Sequence, residues 1–267
     1  MNLYRRNYNV LTSEELEAYS LIKDKEKEGR IGKLVTRNLF REYPKAVRHN
    51  KSLFPNNYLD FVDLENREEI EATVGQFLMK LNGGSIKNEL EILRFINKET
   101  KAFYLIGSIF SYYDFGHHDA YVFPEFQIGK YRADYLLVGS NSDGYSFIFV
   151  ELEHPVNGIT IKSGDLGDAY RKGISQLKDW ESFLISNYND ITNRLKQCKH
   201  PDVQLPDEFY SLDPTRFHYV VVAGRRDDLV DKTRRIRREH LIQQRIKLLH
   251  YDNICDKTLA LLDQRNY

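Results

Sequence analysis

The sequence predicts a mixed α/β fold, in which a mixed β-sheet is flanked by helices and preceded by a mainly helical N-terminal region. Three observations lead there. Between Tyr121 and Glu153, β-branched and aromatic runs (YVFPEFQIG, YRADYLLV, YSFIFVELE) alternate with turn residues, the signature of a strand meander. Apolar residues recur at helical spacing on both sides of that block. The order of elements after residue 85, α, βββ, α, β, α, β, α, requires helices packed on the faces of a sheet with both parallel and antiparallel pairs.

Taken in order, a first helix opens at the capping-box pattern Thr12-x-x-Glu15 and runs through EELEAYSLIKDKEKE. From Leu39 to Asp63, Pro44, Pro55 and Asn56-Asn57 indicate loops and short segments. REEIEATVGQFLMKL is helical and stops at Gly83-Gly84, the best domain boundary: residues 1–83 form one region and 84–267 another. The next helix is expected from Ser85 as N-cap, with Ile86, Leu90, Leu93 and Ile96 as its apolar stripe. After the strand meander, whose last turn is expected to be a six-residue loop from Gly139 to Gly144, come a helix through DAYRKGISQLKDWESFLISNY and a Pro-containing polar loop. A buried strand (HYVVVAG), a basic helix (TRRIRREHLIQQR), a short strand (KLLHY) and a last helix (DKTLALLDQ) close the chain.

Composition removes several classes. With 267 residues, 41% hydrophobic and 29% charged, the chain can bury a core and is neither disordered nor membranous. No apolar stretch approaches a bilayer span, and MNLYRRNYNVLTSEELEAYS lacks a signal-type apolar run, so the expected location is cytoplasmic, without membrane association. Cys198 and Cys255 are isolated, which excludes a disulfide framework and a cysteine zinc site. The 39 basic and 39 acidic side chains cancel, so basic character can only be local. Neither GxxxxGK[ST] nor GxGxxG occurs, so no nucleotide cofactor is expected, and no GxSxG serine elbow exists.

Chemistry concentrates in three acids. Asp134 in YRADYLLV and Glu151 and Glu153 in FIFVELEHP lie in apolar strands, where a carboxylate is costly unless paired, protonated or bound to a cation. Alternation puts Glu151 and Glu153 on one face. With the six-residue loop, Val138 faces Tyr145 and Asp134 faces Phe149, placing Asp134 on that same face. Three hard oxygen donors then converge, as Mg²⁺ requires. The plain alternative is a surface ion network with Arg132 or Lys130. Adjacent His117-His118 cannot share a strand face, and His154 points away from the acid face if the strand continues past it, although Pro155 is expected to end the strand there, so structural or loop roles are expected for all three. Trp180 is expected to anchor its helix to the sheet.

An Asp on one strand, a turn, Glu-x-Glu on the next, and a helix carrying Gln176 in QLKDW resemble the core of the PD-(D/E)XK nuclease superfamily, a restriction-endonuclease-like core. More narrowly, the stretch from about Ser85 onward resembles the nuclease domain of the Shedu antiphage-defence family, through FPEFQIGKYRADYLLV, FVELEHP, the Gln-Leu-x-x-Trp helix, VVVAGRR and LLHYDNI. The resemblance implies a metal-dependent DNA endonuclease using Mg²⁺ (or Mn²⁺) on phage DNA, expected double-stranded, and a homo-oligomer, with a tetramer as the expected assembly. It makes Asp134 and Glu151 metal ligands, Gln176 a helper near water or phosphate, and Glu89 an additional acid, with Glu91 close by. The departure is Glu153, where the superfamily most often has Lys. Glu153 is then expected as third ligand or general base, and Lys172, one helical turn before Gln176, as the source of positive charge. Residues 1–83 become a sensing or oligomerisation region. Arg132, Arg225, Arg226, Arg234, Arg235 and Arg238 are the expected nucleic-acid contacts, against a solvated helix face paired with local acids. The rivals are a catalytically inactive nuclease fold that binds DNA or a protein, and a metal-dependent enzyme acting on a non-nucleic substrate.

Overall fold

A computed structural model of the chain describes every residue except 1, 32, 33, 36, 37, 157 and 265. Five strands form one mixed sheet: β1 (Asp119–Ile128), β2 (Tyr131–Asn141), β3 (Gly144–Leu152), β4 (Phe217–Val222) and β5 (Ile246–Leu249), lying side by side in that order. The first three are an antiparallel meander, and β4 and β5 add in parallel. Each parallel step needs a crossover, and the long helix Asp168–Cys198 and the basic helix Asp231–Gln244 provide them.

The remaining helices number out in chain order as α1 (Ser13–Glu28), α2 (Lys45–Asn50), α3 (Arg67–Asn82), α4 (Glu89–Arg94), α5 (Phe103–Gly107), then the crossovers α6 and α7, and α8 (Tyr251–Gln264). The capping box of α1 forms as its residues predict. α4 starts later than expected: Asn88, not Ser85, caps it by accepting from the Glu91 N–H at 3.0 Å. That start rotates Leu90 to the surface, 65% exposed, while Ile92, Leu93 and Ile96 stay buried. α4 runs directly into a π turn, Phe95–Thr100.

The β2–β3 turn is shorter than the six residues expected. Pairing continues to Asn141↔Gly144, leaving Ser142-Asp143 as the loop. The Asn141 side chain accepts from the Asp143 N–H at 2.8 Å, and Gly144 takes φ +99°, so an Asx turn closes the hairpin tightly. The register therefore shifts by two, with Tyr135 opposite Val150, so that Asp134 comes level with Glu151. An even shift keeps every side chain on its face, and the acids remain together.

Both faces of the sheet are covered, which is why the strands read as near-continuous apolar runs. Leu136, Val138, Phe149 and Val221 pack under α6 through Tyr170, Leu177 and Trp180, the last 1% exposed as its anchoring role requires. On the other face Leu137, Ile148 and Val220 meet Phe77 of α3, Ile106 of α5 and Ile254 of α8. Leu59, Leu64, Ile70 and Val74 belong to this same core, which continues across Gly83-Gly84. Among the described residues no helix is long and apolar enough to cross a membrane.

Candidate metal and catalytic centre

β3 carries Glu151 near its C-terminal end, and the Glu153 N–H extends the ladder to the Val222 carbonyl at 2.8 Å. Two-residue alternation turns both acids toward α6, where Asp134 arrives from β2. α6 can sit this low because of Gly173: a Cβ there would lie 2.5 Å from Val221 Cγ1 and 3.4 Å from Glu153 Cγ. On either side of that glycine the helix delivers Lys172 and Gln176, one turn apart.

The contacts are specific. The Leu152 N–H donates to Asp134 Oδ2 at 2.7 Å. Lys172 Nζ donates to Glu153 Oε2 at 3.0 Å. The Gln176 side chain faces Glu151 and favours its ionised form. Tyr251, the first residue of α8, donates its hydroxyl to the Glu153 carbonyl at 2.7 Å and fixes the backbone there. Two buried atoms of the cluster have no partner: Glu153 Oε1 and Gln176 Oε1.

Glu151 is 6% and Glu153 2% exposed, and the electrostatics follow from that burial. Burial, then the charges of Glu153 and Glu89, hold the Asp134 carboxyl far above the carboxylate range, against the pull of the Leu152 N–H. Glu151 rises through burial, then Asp134 and Glu153, opposed by Lys172 and Gln176. Glu153 is raised by burial and restrained by Lys172. The Lys172 ammonium, 59% exposed, is held above its ordinary value despite burial of its stem, by Glu153, Glu89 and Glu151.

Glu89 and Glu91 separate cleanly. Glu91 folds back onto the Lys87 N–H, whereas Glu89 acts on Asp134, Glu153 and Lys172. The structure thus brings Asp134, Glu151, Glu153, Lys172, Gln176 and Glu89 into one electrostatic neighbourhood.

Among the described residues, no three His, Cys, Asp or Glu side chains are gathered tightly enough to hold an ion as they stand. The reason is visible in the contacts: Asp134 gives one oxygen to Leu152 and Glu153 gives one to Lys172. The donor set still fits a hard divalent cation. It is all oxygen, its carboxyls carry raised proton affinity that a cation would relieve, and Glu153 Oε1 lacks a partner.

Sequence reasoning missed Glu125. Pro124↔Tyr135 and Phe126↔Ala133 pair, yet Glu125 and Asp134 between them do not, because Glu125 takes φ +50°. In a regular strand its carboxylate would stand beside Asp134. The left-handed backbone turns it out to Arg132 at 3.1 Å instead. Tyr251 and Gly173 were also missed, since nothing local marks a tyrosine or glycine whose partner lies on another element.

The expected nucleic-acid contacts divide. Arg225 is bound to Asp252 and Asn82, and Arg226 to Asp256, so both are engaged in holding α8. Arg132 pairs with Glu125 at the mouth of the acid cluster. Arg234, Arg235 and Arg238 are exposed on α7, with Asp231 3.9 Å from Arg234 and Glu239 3.4 Å from Arg235. His154 Nδ1 accepts from the Val156 N–H, and His117 and His118 pack edge to face in a cavity lined by Phe40 and Tyr58. None of the three histidines joins the acids.

The family model of the C-terminal region of the Shedu protein SduA matches residues 86–254, which hold all six clustered residues. No curated protein matches the chain.

Proposed function

This chain belongs to that Shedu SduA family, and on this premise we propose that it is a metal-dependent DNA endonuclease of antiphage defence. The observation that carries the reading is the convergence of Asp134, Glu151 and Glu153 on one face of the sheet, with Glu151 and Glu153 deeply buried and Lys172 of α6 3.0 Å from Glu153. A structural ion network would leave its acids ionised and paired. Here burial raises all three and leaves an oxygen unmatched.

Asp134 and Glu151, with Glu153, would hold Mg²⁺ or Mn²⁺. When bound, the cation supplies Lewis-acid stabilisation of charge on the scissile phosphate. Glu153, with its raised proton affinity and free Oε1, accepts the proton of the attacking water. Lys172 supplies the positive charge that Glu153 cannot, and its raised pKa keeps it an ammonium throughout the neutral range. Gln176 orients Glu151 with its NH₂ group and keeps its carbonyl oxygen available for water. The proposal extends to phage DNA as substrate, a cytoplasmic homo-oligomer, and residues 1–83 as the region that restrains or directs cleavage.

Lys172→Met is expected to slow cleavage about 10²-fold. Thermal stability should change by less than about 1 kcal/mol, because the ammonium is largely exposed. Lys172→Arg should recover part of the rate. Full activity in Lys172→Met, alongside a dead Glu153→Gln, would remove the lysine from the mechanism.

The reading as a whole is tested by incubating purified protein with linear and supercoiled DNA in Mg²⁺, Mn²⁺ or EDTA. Cleavage with metal and none in EDTA is expected. The inactive-fold alternative is favoured by the Glu153 departure; it predicts DNA binding indifferent to EDTA, with no cleavage in any metal.

A further inference from the structure

A second concentration of charge lies at the edge of the sheet, where β5 has no outer neighbour among the described residues. A cavity of about 320 Å³ there is lined by Tyr112, Arg234, Arg237, Arg238, Lys247 and Asn253, with leucines and no acid among its lining residues. Lys257 stands beside it, its Nζ 5.0 Å from the Tyr112 ring centre. Lys247 Nζ lies 4.9 Å from Tyr112 and 5.5 Å from Tyr113.

The chain is electrically neutral overall, and what sets this patch apart is that its cations crowd one cavity. Among the described residues, Arg237, Arg238, Lys247 and Lys257 lie outside every ion pair, and the acid that acts on Tyr112, Asp256, is bound to Arg226. Arg237 is oriented by Nε and Nη2 on the Leu248 carbonyl, the Nε bond being 2.8 Å, which leaves Nη1 available. Tyrosine faces are a weak counter-charge, and they do not offset the crowding: burial, then Arg237 and Lys257, hold the Lys247 ammonium below its ordinary value.

We propose that this cavity is an anion site that binds a phosphate dianion, apart from the acid cluster and independent of the nuclease reading. Two lysines, a pre-oriented guanidinium and the Asn253 amide supply charge-assisted donors suited to a group with two negative charges and three acceptor oxygens. A monovalent anion such as chloride would leave the crowding only partly neutralised. A small molecule and a DNA terminus both carry such a phosphate, and the test separates them.

The test is calorimetry and thermal melting of the full chain with inorganic phosphate, against chloride at matched ionic strength. Saturable binding to wild type is expected, with at least about a tenfold loss of affinity in Lys247→Met/Lys257→Met. Removing like charges should leave the melting temperature in chloride unchanged or higher, so the double variant remains a fair control, and Lys247→Arg should retain binding. Deoxyadenosine monophosphate, and duplexes with and without a 5′-phosphate, assign the source. A stronger response to the mononucleotide marks a small ligand, and discrimination between the duplexes marks a DNA end. A response no greater than that to chloride, or one undiminished in the double variant, would overturn the site.

Discussion

Asp134→Ala and Glu151→Ala are each expected to lower metal-dependent DNA cleavage by about 10³-fold or more, read as single-turnover rates on linear duplex. Loss of a ligand removes several kcal/mol of stabilisation of developing phosphate charge, and about 4 kcal/mol corresponds to about 10³ in rate. The acid across from Asp134 on β1, Glu125, does not substitute for it, because its backbone turns it away and it pairs with Arg132. Glu89→Gln should cost less, about tenfold, since its influence on Asp134 and Glu153 is through charge. Either alanine variant retaining a rate within about fivefold of wild type would place the chemistry elsewhere.

The same two acids should have the opposite sign in a stability measurement without metal. Their folded pKa values are raised, so the folded protein holds protons that the unfolded chain releases above about pH 4. The stability they contribute is fully present below that pH and is lost as pH rises, through a range in which the pair titrates between about 7 and about 9. Asp134→Asn and Glu151→Gln, in EDTA at pH 8, should therefore be more stable than wild type, by on the order of 2 kcal/mol. The amide oxygen introduced by Asp134→Asn can still accept from the Leu152 N–H, so the gain is not masked by a lost hydrogen bond. The stability of each variant should also fall less steeply than wild type between pH 6 and 9. Melts in which the variants are less stable at pH 8, or in which the pH slope is unchanged, would mean that the acids are ionised and satisfied as they stand.

Which parts of this arrangement could be read from residues alone follows from the range of the forces involved. The alternation that sets Glu151 and Glu153 on one face is a property of the strand itself, and the apolar runs around Asp134 required a sheet buried on both sides. The i, i+4 spacing of Lys172 and Gln176 is equally local, so their shared face was apparent before any packing. The hairpin loop was expected to be four residues longer than it is, since Asn141 and Gly144 form an Asx turn whose tightness depends on a side-chain hydrogen bond. Because the difference is an even number of residues, Asp134 stays on the face of Glu151 and Glu153. Asn88 displaced Ser85 as the cap of α4 because Asn88 reaches the Glu91 N–H, and the shift exposed Leu90. Gly173, Tyr251 and the φ of Glu125 depend on elements up to about a hundred residues apart in sequence, and no periodicity encodes them. The core that joins Ile70 and Val74 to Ile106 and Ile254 is of the same kind: Gly83-Gly84 ends a helix, and the packing passes over it.

Cleavage can be silent for want of a trigger, whereas binding of the cation cannot, so the most direct test is calorimetric titration of the apo protein with Mn²⁺ at about pH 7.5 in two buffers of different ionisation enthalpy. The account predicts saturable binding accompanied by proton release, because carboxyls with raised pKa must deprotonate to ligate, and predicts loss of both in Asp134→Asn. Absence of saturable binding, or binding that releases no protons and survives Asp134→Asn, would contradict it.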